Sequence, residues 1–183
     1  MTSYQIPRPT SGDVVEVILD DHRLFETLLR ELRNSQADRE AARAALSEVL
    51  IAHGEAEEEK VYQQLRRKHA IGEHEAEHGE EEHAEGNEAL LELLEVADVH
   101  GEEFDEAVEK LATALNHHIG EEEQTILNPA REEVAEDVRA QLGRDWLARR
   151  NELLDQGCGS TEQVRAIVGR AHEEGLLPAD DED

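Results

Sequence analysis

Apolar positions recur at helical spacing along four long stretches of the chain. Most of them fall three, four or seven residues apart, which places them on one face of an α-helix. The pattern predicts helices over residues 13–33, 38–67, 73–97 and 102–127, and Pro129 lies just beyond the last of them. In the first helix the apolar positions are Val14, Val15, Ile18, Phe25, Leu29 and Leu32.

The connections between these four helices are short. Helices joined in this way pack as antiparallel neighbours. The sequence therefore predicts an all-α protein in which residues 13–131 form an up-down-up-down four-helix bundle.

The second and fourth helices repeat one pattern 65 residues apart, so the chain resembles two copies of a helical hairpin. The matching positions are Leu46, Val49, Leu50, His53, Glu57, Glu58, Val61 and Tyr62 in the second helix, and Leu111, Ala114, Leu115, His118, Glu122, Glu123, Ile126 and Leu127 in the fourth.

Residues 132–178 form a predicted C-terminal helical extension. An amphipathic stripe first extends or follows the fourth helix, with Gly143 as a point where it could break. Ser160 then begins a short helix as its N-cap. This helix either docks on the bundle or binds a partner protein. Residues 179–183 are expected to be disordered.

Composition narrows the classes of partner. The net charge is −28 and the pI is about 4.6, which disfavours nucleic acid and anionic membrane surfaces and favours cations. Cys158 is the single cysteine, so a cysteine-based metal cage is excluded. Because no signal-peptide core and no run of 18 apolar residues is found, we expect a cytoplasmic protein.

Two histidine and glutamate pairs fall on the apolar stripes. Residues four apart on a helix differ by about 40°, so His53 projects with Glu57 and His118 projects with Glu122. Burying such carboxylates without a partner costs several kcal/mol, and metal coordination removes this cost. His22 lies inside the apolar stripe of the first helix and is the third histidine that points inward.

The third helix offers several histidines in a run of acids. His83 lies within about 20° of Leu90 and Leu94 on a continuous helix, whereas His78 is rotated by roughly 140° from His83. We therefore select His83 as the inward residue. His74 and His78 either are solvated or chelate a surface ion weakly.

Imidazole and carboxylate donors without thiolate suit iron, zinc, copper or manganese better than calcium or magnesium. Two glutamates from different helices can each bridge a pair of ions, and this leaves positions open for a small ligand. Glu58 and Glu123 either orient the histidines or are exposed charges. The predicted metal ligands are His22, His53, Glu57, His83, His118 and Glu122.

This ordered set of motifs resembles the hemerythrin or HHE cation-binding family over residues 13–131. The resemblance implies two non-haem iron ions joined by an oxo or hydroxo bridge, which bind O2, nitric oxide or peroxide. The segment 141–154 is similar to what often follows the bundle in bacterial members. The motifs are Asp21-His22, His53-x3-Glu57-Glu58, Glu82-His83, and His118-x3-Glu122-Glu123 followed by Ile126-Leu127 and Pro129.

One departure from the family pattern concerns the third helix. Animal hemerythrins place two histidines four apart there, but the position four before His83 is Gly79. One iron could thus have fewer histidines, with Glu80 or water completing its shell. We expect such a site to favour redox chemistry or sensing over reversible O2 carriage, and whether the protein is an enzyme stays open.

Two other functions compete with a small-molecule di-iron protein. A ferritin-like di-iron oxidase needs Glu-x-x-His motifs on two helices, but position 50, three before His53, and position 115, three before His118, are both leucine. Alternatively, the metal stabilises a helical adaptor that recruits a partner through residues 161–174.

Overall fold

The computed structural model describes residues 4–178, so the predicted disorder of residues 179–183 lies outside the described residues. All regular structure in the described part is helical, which confirms the all-α prediction. None of its helices is long and apolar enough to cross a membrane. The helices are α1 (Val14–Arg33), α2 (Arg39–Glu57), α3 (Gln63–Arg67), α4 (Glu73–Glu95), α5 (Glu102–Glu122), α6 (Asn128–Glu133), α7 (Glu136–Asp155) and α8 (Thr161–Glu174).

Polar residues fix where the helices begin. The carboxylate of Asp13 accepts a hydrogen bond from the backbone N–H of Val15 and caps α1. Asp38 caps α2 in the same way. Ser160 caps α8, as the sequence predicts, by accepting from the N–H of Gln163. Each cap satisfies a backbone donor that a helix start leaves unpaired.

Four long helices surround the centre of the bundle, with α1 beside α2, α2 beside α4, α4 beside α5 and α5 beside α1. Ion pairs show the direction of α1 relative to α5 and its continuation. Arg33 at the end of α1 contacts Glu109 early in α5, whereas Glu16 near the start of α1 contacts Arg131 in α6. These two helices therefore run antiparallel.

The apolar core consists of two clusters with a polar layer between them. Along α1, Ile18 belongs to one cluster and Phe25 to the other, and the buried His22 lies between them. Along α2, Ala52 and Ala56 are divided in the same way around His53. The inward polar residues thus occupy one level of the bundle, where they separate the two clusters.

Two π-helical turns extend α2 and α5. They cover Glu58–Tyr62 and Glu123–Leu127, which are equivalent in the 65-residue repeat. Each turn holds an additional residue relative to an α-helix, and such turns are frequent at functional sites. Both begin directly after an inward glutamate, Glu57 or Glu122.

The helical run that contains α5 and α6 continues to Glu133, so the prediction that it ends at residue 127 is wrong. Proline disturbs an α-helix because its ring meets the carbonyl four residues earlier. For Pro129 this carbonyl belongs to Thr125, which lies within the wide second π turn. The chain therefore passes through Pro129 without leaving the helical path.

The C-terminal extension packs on the bundle. Helix α7 contacts α1 and α2, and α8 contacts α4. The apolar face of α8 is buried in the core, so this helix is docked. Gly143 does not break α7. A Cβ atom there would clash with the carbonyl oxygen of Gly12, so glycine is required for this close approach.

Candidate metal centre

The structure brings all six predicted ligands to the polar layer between the two core clusters. Their side chains are nearly inaccessible to solvent, and His83 is the most exposed at 9%. The six residues are His22 on α1, His53 and Glu57 on α2, His83 on α4, and His118 and Glu122 on α5.

These residues form two groups of three, each with two histidines and one glutamate. Within each group the ligand atoms lie within 4.8 Å of one another. In the first group Nε2 of His22 is 3.1 Å from Oε2 of Glu122, and His53 completes the set. The second group consists of Glu57, His83 and His118.

The two carboxylates connect the groups. Oε2 of Glu57 is 3.2 Å from Nε2 of His83 in its own group and 3.1 Å from Nε2 of His53 in the other. Oε2 of Glu122 is also 3.8 Å from Nε2 of His118. Both glutamates therefore lie between two pairs of histidines, which is where bridging ligands of a two-ion centre would lie.

The donor atoms fit a bound cation. Among the described residues, Nε2 of all four histidines, both carboxylate oxygens of Glu57 and Oε2 of Glu122 are buried without a hydrogen-bond partner. Leaving such an atom unpaired costs about 1–3 kcal/mol. Cations in the two groups would satisfy these atoms together, so the residues present fit a two-ion site.

Comparison with known proteins agrees with this geometry. The family model described as "Hemerythrin HHE cation binding domain" matches residues 13–130. The chain belongs to the hemerythrin HHE family. No curated protein and no solved structure matches the chain. The hemerythrin match includes all six inward residues, whereas α7 and α8 lie beyond it.

In this hemerythrin-family protein, Nδ1 of each of the four inward histidines faces the carboxylate of an acidic residue. Such acids fix the orientation and tautomer of a ligating imidazole. With Nε2 bound to a metal ion, Nδ1 would carry the proton of the imidazole ring. The Nδ1 to carboxylate distances are 2.8 Å for His83 with Glu58, 3.1 Å for His118 with Glu82, 3.2 Å for His53 with Asp21, and 3.6 Å for His22 with Glu123.

The sequence left open whether Glu58 and Glu123 orient histidines or are exposed charges. Glu58 forms a hydrogen bond with His83. Glu123 lies near His22, but Nδ1 of His22 has no hydrogen-bond partner. Sequence reasoning did not assign this role to Asp21 or Glu82. A usable signal was present, because an acid directly precedes the inward histidine in α1 and in α4.

Helix α7 reaches the centre from outside the hemerythrin domain. Arg150 is 1% exposed and donates to both oxygens of Asp21, at 2.6 and 2.7 Å. The ring of Trp146 contacts the ring of His53 edge to face, with 5.4 Å between centroids. No local sequence pattern predicts these contacts, because Asp21 and Arg150 are 129 positions apart.

Tyr62 is a further buried residue that the sequence did not identify as part of the site. Its hydroxyl donates to Oε1 of Glu122 at 2.9 Å. Burial, together with the charges of Glu122 and Glu57, raises the pKa of Tyr62 well above its usual value. The phenol therefore stays protonated and remains a donor.

The Tyr62 ring also explains the missing histidine at position 79. A Cβ atom at Gly79 would lie 2.9 Å from Cε2 of Tyr62. Real Cβ contacts are essentially never that short, so any side chain at this position would require the ring to move. Tyr62 thus occupies the space beside α4 into which a side chain four residues before His83 would project.

In the centre, His53 and Glu57 each stabilise the charged form of the other. Burial disfavours the imidazolium form of His53, but Glu57 and Asp21 outweigh this and raise its pKa to about 9. For Glu57, His53 and His83 outweigh the effect of burial and hold the carboxyl pKa well below its usual value. A metal ion that binds here must therefore displace protons from the histidines.

The remaining histidines of α4 lie apart from the centre. His74 and His78 are rotated away from it and their rings stack on each other at 6.1 Å between centroids. Glu80 lines a cleft with Glu55 and Glu58 and belongs to neither inner group. The phase argument that selects His83 thus agrees with the positions of these side chains.

A small cavity adjoins the centre. Its lining includes the rings of Phe25 and three of the four inward histidines, together with Leu115 and two glycines, Gly54 and Gly86. The space open to the centre of a water-sized molecule is about 30 Å³. This is on the order of two water-sized spheres, which suits a diatomic molecule better than an organic substrate.

Proposed function

We propose that this protein holds two non-haem iron ions between α1, α2, α4 and α5, and that it binds O2, nitric oxide or peroxide there in order to sense or detoxify it. The observation that carries the proposal is the pair of groups with two histidines and one carboxylate each, joined by Glu57 and Glu122. The ligands are the six residues His22, His53, Glu57, His83, His118 and Glu122.

The donor sets favour iron. Two histidines and one carboxylate with positions left open form the facial set typical of non-haem iron. Ligand atoms about 2.1 Å from an ion lie about 3.0 Å apart in octahedral geometry and about 3.4 Å apart in tetrahedral geometry. Three of the four glutamate–histidine contacts within the centre measure 3.1 to 3.2 Å, which is closer to the octahedral value, and the fourth, Glu122 with His118, measures 3.8 Å.

Bound iron supplies open coordination positions and electrons for a small ligand. The protein contributes the surroundings of these positions. The cavity beside His83 and His118 admits a diatomic molecule, and Phe25 and Leu115 limit the entry of water. Tyr62 holds its proton and orients Glu122.

The centre is held by fewer histidines than in animal hemerythrins, because Gly79 and Tyr62 take the place of one. Fewer imidazole ligands leave more positions to water or carboxylate. This supports sensing or redox turnover over reversible O2 carriage. Helix α4 contains two Glu-x-x-His motifs, which end at His78 and His83, but their acids, Glu75 and Glu80, belong to neither inner group, and this argues against a ferritin-like oxidase. Helix α8 buries its apolar face, which argues against an adaptor that recruits a partner through this helix.

The direct test is metal analysis combined with optical spectra of the full chain. We expect about two irons per chain and near-ultraviolet charge-transfer bands. Anaerobic spectra before and after addition of O2, nitric oxide and peroxide identify the ligand. Stoichiometric zinc without iron, or an absence of any spectral response, would overturn the proposal.

Replacement of one proposed ligand is a second test of the metal centre, and replacement of an exposed histidine is its control. His118→Ala removes a buried ligand and is expected to lower iron content and bundle stability together. The control is His100→Ala, which changes an exposed histidine just before the start of α5 and should leave both unchanged.

A further inference from the structure

A third group of ligand atoms lies at the surface, outside the proposed iron centre. It consists of His78 and Glu82 on α4 and His117 on α5, and it shares no residue with the two inner groups. Oε1 of Glu82 is 3.4 Å from Nε2 of His117 and 3.6 Å from Nε2 of His78. We name this set the outer group.

Glu82 is the buried member of the outer group and also contacts His118. The side chain is 5% exposed, and Oε2 accepts from Nδ1 of His118 at 3.1 Å. The second oxygen, Oε1, is buried and has no hydrogen-bond partner among the described residues. It points toward the space between the two outer histidines. This buried acceptor therefore faces two imidazoles without forming a hydrogen bond to either of them.

The geometry matches a small transition ion. His78 and Glu82 are four residues apart on α4, so both project to one side, and His117 approaches from α5. Their contacts of 3.4 and 3.6 Å are close to the edge of about 3.4 Å expected around a tetrahedral ion with bonds of about 2.1 Å. Two imidazoles and one carboxylate are donors that zinc accepts.

Access and charge also favour a cation. The side chains of His78 and His117 are 42% and 60% exposed, so an ion can reach them from solvent. Glu81 lies 3.6 Å from the other nitrogen of His78 and adds negative charge. The net charge of −28 attracts cations to the surface as a whole.

We propose that His78, Glu82 and His117 bind one divalent transition cation of the Zn²⁺ class in an outer site. Glu82 then binds this ion through Oε1 while Oε2 orients His118, so one carboxylate serves both sites. The outer site does not depend on iron in the inner centre.

The competing location is the pair His74 and His78, whose rings are stacked and which also lie four residues apart. The two locations share His78 but differ in the other histidine. His117→Ala and His74→Ala therefore separate them. Both replacements change exposed residues on helices to alanine, which favours the helical state, so folding is retained.

The experiment is a calorimetric titration of the full chain with Zn²⁺ in excess Mg²⁺, which occupies exposed carboxylates but not imidazoles. We expect His117→Ala and His78→Ala each to lose about one Zn²⁺ per chain relative to the unchanged protein. His74→Ala should retain this ion. Unchanged binding in His117→Ala, or loss in His74→Ala, would overturn the outer site.

A fourth variant separates this proposal from the proposed function. His53→Ala should lose metal from the inner centre and keep the Zn²⁺ that His117 binds. If the inner centre binds no metal, His53→Ala changes nothing, and the comparison of His117→Ala with His74→Ala still decides the outer site.

Discussion

At the scale of single residues, the environment of Glu122 combines two kinds of contact. Its Oε2 faces Nε2 of His22, and its Oε1 accepts from the hydroxyl of Tyr62. A buried carboxylate with one donor and one imidazole is held in a single orientation. Tyr62 thus defines where the carboxylate between the two histidine pairs lies.

We expect Tyr62→Phe to alter the optical spectrum of the centre and to lower the free energy of unfolding by about 1–3 kcal/mol, because it leaves a buried carboxylate oxygen without its donor. Spectroscopy and chemical denaturation measure both effects. Tyr4→Phe is the control, since Tyr4 precedes α1 and also donates at 2.9 Å to a glutamate, Glu31, which lies near the end of α1 and belongs to neither inner group. An equal response of the two variants would contradict the role of Tyr62.

Cys158 provides a pH-dependent prediction. Burial and the nearby Glu48 raise its thiol pKa to about 11, whereas an unfolded cysteine ionises near about 8.5. Between these values the unfolded chain releases the proton and the folded chain keeps it. Stability due to this group is therefore present below about pH 8.5 and is lost as the pH rises toward about 11.

Two measurements check this prediction. The folded protein should react slowly with a thiol reagent at pH 8 and rapidly once unfolded, because the thiolate is the reactive form. Cys158→Ala should reduce the fall in unfolding free energy above pH 9. Rapid labelling of the folded chain at pH 8 would show that the thiol is accessible.

At the scale of elements, helical periodicity predicted the direction of the four inward histidines but not that of Tyr62. The stripes through α1, α2, α4 and α5 placed the four histidines inward, because side-chain direction follows the turn of about 100° per residue. On that arithmetic Tyr62 points about 180° away from His53, toward solvent. The first π turn adds a residue between them and rotates Tyr62 into the core.

Other parts of the site could not be predicted from local pattern. Each π turn covers only five residues, which is too short for a hydrophobic periodicity to reveal it. The 65-residue repeat shows that the two helices are alike, but not that each contains a π turn. Contacts such as that of Arg150 with Asp21 depend on how α7 packs, which the amphipathic stripe of α7 does not specify.

Gly86 on α4 lines the cavity beside the centre, and its lack of a side chain leaves this space open. We expect Gly86→Leu to fill it, so that iron content is retained but the spectral response to nitric oxide or O2 becomes smaller or slower. Stopped-flow spectroscopy measures the rate. Gly169→Leu is the control, since Gly169 lies exposed on α8 with no atom near its missing Cβ. Equal rates in both variants would show that the ligand does not use this cavity.

At the scale of the whole molecule, the C-terminal extension takes part in the centre. Arg150 on α7 neutralises Asp21, which in turn orients His53. Residues 13–130, which match the family model, therefore contain a buried acid whose guanidinium partner lies outside the matched segment. In this chain the bundle and α7 form one structural unit.

Arg150→Gln should destabilise the protein by about 3–5 kcal/mol, because it removes the guanidinium that pairs with both oxygens of the buried Asp21 carboxylate. Metal affinity should fall by about 10–100-fold as His53 loses its orientation. Chemical denaturation and competition with a chelator measure the two effects. Arg149→Gln is the control, since Arg149 pairs with the partly exposed Glu59 and Glu152, and should cost about 0–1 kcal/mol.

The division of the core into two apolar clusters by the polar layer has a consequence for cooperativity. Each cluster is a separate apolar core, and the metal-facing atoms of the layer between them are buried without hydrogen-bond partners, so bound cations would add contacts that join the two clusters. Calorimetry of the metal-loaded protein should give a single heat-absorption peak. After chelation, the peak is expected to broaden or split, as the two halves of the bundle lose their thermodynamic linkage.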